Sequence, residues 1–227
     1  MTDYYVLHSG GLDSTSALAL VAERDDRRHL YSVNVDYGQR LRRELDSAAV
    51  TAAAFGAEQI PLDLRNWAGY LDGALTDGTT PVPVGEYEDE NMSATVVPGR
   101  NPVFITAAGA IARSRSGDHP AVVVVAVHGG DHHLYADCRP EFIDAQARAL
   151  ELGTEVGLFA PFVRMTKAEI IADASRRGAP LADTWSCYEG GAVHCGECAS
   201  CRERRKSFAL AGVDDPTEYA GGGREHV

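Results

Sequence analysis

The residues best able to do chemistry fall in a few short stretches of the 227-residue chain. Ser9-Gly10-Gly11-Leu12-Asp13-Ser14 follows a β-prone run, Tyr4 to Leu7, and opens onto a helical pattern carried by Ala17, Leu18, Leu20 and Val21. Paired glycines let backbone N–H groups approach an anion with no Cβ in the way. Two hydroxyls and a helix N-terminus add donors and positive potential, so phosphate is the expected guest. The stretch is not a Walker A loop, since no Gly-Lys-Ser/Thr closes it, and it is not Gly-x-Gly-x-x-Gly. Two glycines alone fit a plain tight turn equally well.

Near the other end, Cys187-x7-Cys195-x2-Cys198-x2-Cys201 offers four thiols within reach of one centre. That spacing fits a tetrahedral Zn²⁺, and four protein ligands leave no position for water or substrate, so the metal would be structural. An iron–sulfur cluster could use the same thiols, and His194 could replace one of them. Between these ends lie Val97-Pro98-Gly99-Arg100-Asn101-Pro102, with an arginine where a helix starts, and the ionisable run from Asp131 to Phe142. Arg100 beside free helix N–H groups suits a carboxylate or phosphate; a surface arginine is the plain reading.

Strands are expected over Tyr4–Leu7, Leu30–Val35, Gln59–Leu64 and Val122–Val127, the last apolar throughout as for a strand covered on both faces. Helices are expected from Ser14, over Leu41–Phe55, from Asn101-Pro102 with asparagine as N-cap, from Pro140, and from the capping-box sequence Thr166-Lys167-Ala168-Glu169. This alternation gives an α/β fold, a doubly wound parallel sheet with helices on both faces. One domain over 1–227 is expected, with a zinc-binding segment at about 181–211. Ligands of such sheets sit at the C-terminal strand ends, which selects Ser9–Ser14, Asp36–Arg40 and His128–Arg139. Arg65–Val97 has no sustained period and reads as a lid or binding loop, with disorder as the alternative.

Asp plus Glu outnumber Lys plus Arg by 33 to 21, a net charge of −12, which argues against a phosphate-backbone binder. The local cluster Arg202, Arg204, Arg205 and Lys206 is the exception and reads as a solvated helix face. No segment has the length of apolar sequence that a membrane span requires, and Met1–His8 has no signal-peptide character. Five cysteines, four of them crowded, point to a reducing cytoplasm.

Taken whole, the first hexapeptide resembles the Ser-Gly-Gly-x-Asp-Ser/Thr loop of the N-type ATP pyrophosphatases (the PP-loop superfamily), which have an adenine nucleotide alpha hydrolase-like, Rossmann-like fold. Asp36-Tyr37-Gly38-Gln39-Arg40, Val97-Pro98-Gly99-Arg100-Asn101 and Asp137-Cys138-Arg139, followed by a four-cysteine knuckle, extend the likeness. From Tyr5 to Phe208 the chain resembles the 7-cyano-7-deazaguanine synthase family. The resemblance implies an ATP-dependent ligase acting on 7-carboxy-7-deazaguanine and ammonia, with Mg²⁺ beside the phosphates, a structural Zn²⁺ and a homodimer. His8, Ser9, Gly10, Gly11, Leu12, Asp13, Ser14, Thr15, Asp36 and Gln39 would bind the nucleotide, and Asp13, Ser14 and Lys167 would act in catalysis. Arg100, Asp131, Asp137, Cys138 and Arg139 would meet the deazapurine; Cys138 would pack against it rather than act as a nucleophile. Cys187, Cys195, Cys198 and Cys201 would hold the metal. Family members carry Asp-Phe-Ser-Gly-Tyr-Pro-Asp-Cys where this chain has Asp131-His132-His133-Leu134-Tyr135-Ala136-Asp137-Cys138. The departure raises an alternative in which the activated acid goes to another amine, such as a protein N-terminus. A third reading is a zinc-knuckle tRNA binder or sulfur-transfer protein, disfavoured by the charge.

Overall fold

A computed structural model describes residues 1–39, 42–71, 96–189 and 191–220. Arg40 and most of the expected lid over Arg65–Val97 lie outside the described residues. At its start, Arg65–Ala68 forms a single helical turn, α3.

Five parallel strands form one sheet: β1 (Thr2–Leu7), β2 (Arg27–Asp36), β3 (Glu58–Asp63), β4 (Ala121–Val124) and β5 (Gly157–Phe159), in the order β3-β2-β1-β4-β5. Helices α1 (Leu12–Ala22), α2 (Arg43–Ala54), α4 (Arg100–Ser116), α5 (Pro140–Thr154), α6 (Lys167–Arg176) and α7 (Ala199–Ala211) complete the α/β fold. The period-two alternation of β1 divides the core. Tyr4 and Val6 join Leu18, Ile170, Ile171 and Phe208 on one face, whereas Tyr5 joins Ile105, Ile143 and Leu150 on the other. Both faces are covered, as continuous apolar parallel strands require.

The chain from β1 turns away to β2 on one side, and the chain from β4 turns away to β5 on the other. The gap between those departures is the topological switch point, where such sheets bind ligands. Here the ladder ends earlier than the apolar run Val122–Val127 suggests: pairing stops at Val124, and only the Val125 N–H still reaches Phe159 O, at 3.0 Å. Val125 and Val127 remain buried but leave the sheet, so they wall the gap. β5 was not legible in the sequence, being three half-buried residues long.

Helix α4 also departs from expectation. Its N-cap is Gly99, at φ 71°, and not Asn101. The left-handed glycine turns the chain sharply into the helix. Pro102 then sits inside the first turn, where its missing N–H has no helical acceptor to lose. Pro140 and the Thr166–Glu169 capping box start α5 and α6 as expected.

Candidate active site and metal centre

Gly10, at φ 81°, turns the chain between β1 and α1. A Cβ there would stand 2.3 Å from Glu44 O and 2.4 Å from Ala48 N, so any side chain would drive into the backbone of α2. Ser14 Oγ accepts from Ser9 N–H at 3.2 Å, and Gly11 N–H donates to Ser9 Oγ at 3.2 Å. Hydroxyls and N–H groups are thereby gathered at the mouth of α1, an arrangement suited to phosphate.

This loop borders a cavity of about 270 Å³ whose other walls carry Tyr37, Glu44, Arg100, Asn101, Asp131 and Cys138. Eight of the expected residues line it: His8, Ser9, Gly11, Asp13 and Ser14 from the strand end and loop, with Arg100, Asp131 and Cys138 opposite. Lys167, the first residue of α6, reaches Asp13 Oδ2 at 3.6 Å and donates to Glu203 Oε2 at 2.5 Å. Burial alone would lower its ammonium, but the carboxylates of Asp13, Glu203 and Asp131 outweigh that and hold it well above the ordinary lysine value. Asp13 Oδ1, in turn, is buried without a hydrogen-bond partner.

His128, buried at the end of the β4 segment, accepts from Gly130 N–H through Nδ1 at 3.2 Å. That acceptor role puts the proton of the neutral ring on Nε2, which faces Asp131 at 3.4 Å and Asp13 at 3.7 Å.

Other expected residues serve the loops. His8 has both ring nitrogens engaged inside the protein, Nδ1 with Ser32 Oγ at 2.8 Å and Nε2 with Thr15 and Thr51 Oγ1 at 3.2 Å each. Burial pushes its pKa down to about 4, so the ring is neutral and internal. The Thr15 hydroxyl turns to that ring, away from the cavity. Gln39 accepts from Tyr37 N–H and donates to Val35 O and Glu44. Asp36 accepts from Gly38 N–H and Arg42, which closes its own turn. Asp137 Oδ2 accepts the Asn101 N–H at 3.2 Å, and Asn101 Nδ2 donates to Asp137 O at 3.3 Å and to Cys138 Sγ at 3.6 Å. These bonds dock the Asp137–Cys138 turn on the start of α4. Arg139 is exposed and donates to His132 O, so the arginine at the cavity is Arg100. Burial, with Asp131 and Asp137 nearby, pushes the Cys138 thiol up to about 12, which suits packing and not nucleophilic attack.

Two carboxylates escaped the sequence reading. Glu44 looks like an ordinary charge in an arginine-rich helix, yet it lines the cavity, and burial raises its pKa to about 7 against the pull of Gln39 and Arg100. Glu203 lies in what reads as a solvated basic face. Arg204 corrects that reading. Its side chain is 2% exposed and donates to Thr217, Thr184, Ser186 and Leu181 O, bracing the C-terminal segment from within. Arg205 stacks over Tyr219 at 3.9 Å.

The four cysteine sulfurs lie within 4.8 Å of one another, with Cys195 and Cys201 at 3.9 Å. A tetrahedron with bonds near ~2.3 Å has edges near ~3.8 Å, so one metal ion fits among them. Backbone N–H groups of Glu189 and Cys195 donate to Cys187 Sγ, and those of Glu197 and Cys198 to Cys195 Sγ, as negative thiolates would favour. His194 is not a ligand: its Nε2 accepts from Ser186 N–H at 3.2 Å and its ring lies 4.3 Å from that of Trp185.

Solved structures with this fold include a predicted subunit of tRNA methyltransferase from Methanocaldococcus jannaschii, at 16% identity and TM-score 0.50 over 77% of this chain and 75% of that one. The U34-tRNA thiolase NcsA from Methanococcus maripaludis, solved with its [4Fe-4S] cluster, matches at 12% identity and TM-score 0.50 over 100% of this chain and 76% of that one. At such identities the likeness is one of fold. Among curated proteins, 7-cyano-7-deazaguanine synthase from Rhizobium meliloti (strain 1021) is 49% identical over 94% of this chain and 90% of its own length. The enzyme of the same name from Agrobacterium fabrum is 46% identical over the same shares. The family model described as "Queuosine biosynthesis protein QueC" matches residues 4–212, and the chain belongs to that family.

Proposed function

We propose that the chain is an ATP-dependent C–N ligase that converts 7-carboxy-7-deazaguanine and ammonia into 7-cyano-7-deazaguanine for queuosine biosynthesis. One observation carries the reading: a phosphate-ready loop and the half-buried Arg100 line one cavity at the switch point, in a chain nearly half identical to proteins of that name. Those relatives give no support to transfer onto another amine. The interior position of Arg204 removes much of the case for a tRNA binder.

The chemistry suits the groups present. A carboxylate resists ammonia because its charge repels the nucleophile and oxide leaves poorly. Attack of a carboxylate oxygen on the α-phosphorus of ATP, here a substrate, releases pyrophosphate and leaves an acyl-adenylate. Ammonia then displaces AMP to give the amide. A second activation at the amide oxygen, followed by loss of AMP and protons, leaves the nitrile. Ser9, Gly10, Gly11, Leu12 and Ser14 supply backbone or hydroxyl donors at the departing pyrophosphate, where preorganised N–H groups act most strongly, and Thr15 supports them from behind through His8. Lys167 sets a positive charge beside the same phosphates. Arg100 pairs with the substrate carboxylate. Glu44 and Asp131 face the deazapurine as acceptors for its N–H edge. Asp36, Gln39, Asp137 and Arg139 shape the loops around the ligands.

The partnerless Asp13 Oδ1 fits a divalent cation, and Asp13 would hold the Mg²⁺ that screens phosphate charge. Cys187, Cys195, Cys198 and Cys201 would hold Zn²⁺, which braces the fold; their close spacing suits one ion better than a four-iron cube. The reading takes 1–227 as one domain, since Phe208 of the cysteine segment packs in the same core as Leu18. It also takes a homodimer in the cytoplasm. Among the described residues no helix is long and apolar enough to cross a membrane.

Purified protein supplied with the acid, ATP, Mg²⁺ and ammonium should yield the nitrile by mass spectrometry, with two AMP per product. Failure to consume the acid would overturn the assignment.

A further inference from the structure

We propose that Glu203 is a positioning residue for the ATP loop, and that α7 thereby ties the four-cysteine centre to cation-dependent nucleotide binding. The inference rests on the reading above that Asp13 and Lys167 serve ATP with its Mg²⁺.

Three elements meet at one ammonium. Asp13 comes from the first turn of α1, Lys167 from the first residue of α6, and Glu203 from α7. Helix α7 starts at Cys198, its N-cap, and carries Cys201 in its first turn, so Glu203 projects from a helix whose origin the thiols fix. The side chains of Lys167 and Glu203 are each 16% exposed, so solvent screens this pair little. Glu203 does not line the cavity; it acts only through Lys167.

The two distances decide the role. Lys167 Nζ is in contact with Glu203 at 2.5 Å but stands off from Asp13 at 3.6 Å. Glu203 therefore holds the ammonium back and leaves Asp13 its negative charge, while Asp13 Oδ1 stays buried and without a partner. A cation ligand needs that state. With Glu203 neutral, Asp13 and Asp131 are the carboxylates left to act on Lys167, the gap to Asp13 closes, and Asp13 is spent on the lysine. Removing a carboxylate also makes the site more attractive to bare ATP, a highly charged anion. The two effects have opposite signs for ATP with and without Mg²⁺, and loss of packing would mimic neither.

Calorimetric titration of full-length wild type, Glu203→Gln and Glu203→Asp with ATP plus Mg²⁺, ATP plus chelator, and AMP separates the cases. In Glu203→Gln the ratio of Mg²⁺–ATP affinity to bare-ATP affinity should fall about tenfold, the loss expected of one charge-assisted contact. AMP affinity and cysteine-bound metal should be unchanged. Glu203→Asp should give an intermediate ratio, and it carries the test if Glu203→Gln loses metal or unfolds. An unchanged ratio, or a parallel loss for all three titrants, overturns the proposal while leaving the ligase reading intact. A wild type that binds no ATP overturns both.

Discussion

The glycine loop and the cysteine cluster both sit where a loop runs into a helix, yet they are finished differently. Around the cysteines, N–H groups already point at sulfur, the thiols touch one another, and Trp185 covers them from the side. Around the glycines, an anionic oxygen is left buried without a partner and a cavity stands open beside it. A site for a resident ion can satisfy its donors within the fold. One for a ligand that comes and goes must leave some unsatisfied, and the protein is less stable by that amount. Unpaired buried groups beside a cavity therefore mark the chemistry better than dense clusters of ligands do.

The sharpest way to break this contrast is to damage each site once. Cys198→Ser should lose the bound metal and the cooperative melt together, because α7 starts at that residue. Asp13→Asn should do the opposite, abolishing acid-dependent AMP formation with a melting temperature equal to or above that of wild type. Metal analysis and thermal melts on both variants check this; a stable, metal-free Cys198→Ser would show that the cluster does not brace the fold.

A smaller effect sharpens the contrast at Glu44. Burial raises its pKa from 4.5 to about 7, so the folded chain holds this proton more tightly than the unfolded chain. The group's contribution favours the fold below about pH 4.5 and is lost as pH rises through about 7. Glu44→Gln removes that dependence, so its melting temperature relative to wild type should climb across the window, by about 2–4 °C per kcal/mol. A constant difference from acid to neutral pH would mean that Glu44 ionises freely.

How far the sequence speaks follows from the range of the forces involved. The glycine loop, the capping box at Thr166 and the four thiols are local patterns, and local hydrogen bonding or ligand spacing decides them. The parallel sheet was legible too, because strands covered on both faces must be apolar throughout. What stayed hidden depends on which distant elements meet. Glu44 becomes a cavity group only because Gly10 admits α2 so close, and Arg204 and Glu203 are neighbours that point to different partners. Asn-Pro suggests Asn101 as a cap, but Gly99 takes that role and Asn101 docks Asp137 and Cys138.

The central claim is that a carboxylate oxygen attacks the α-phosphorus of ATP. Supplying 7-carboxy-7-deazaguanine labelled with ¹⁸O in its carboxylate, with ATP, Mg²⁺ and ammonium, tests it directly by mass spectrometry of the nucleotide. Label in AMP, formed only when the acid is present, is the expected result. Label in inorganic phosphate with ADP as the nucleotide product, or AMP formed without the acid, would contradict it.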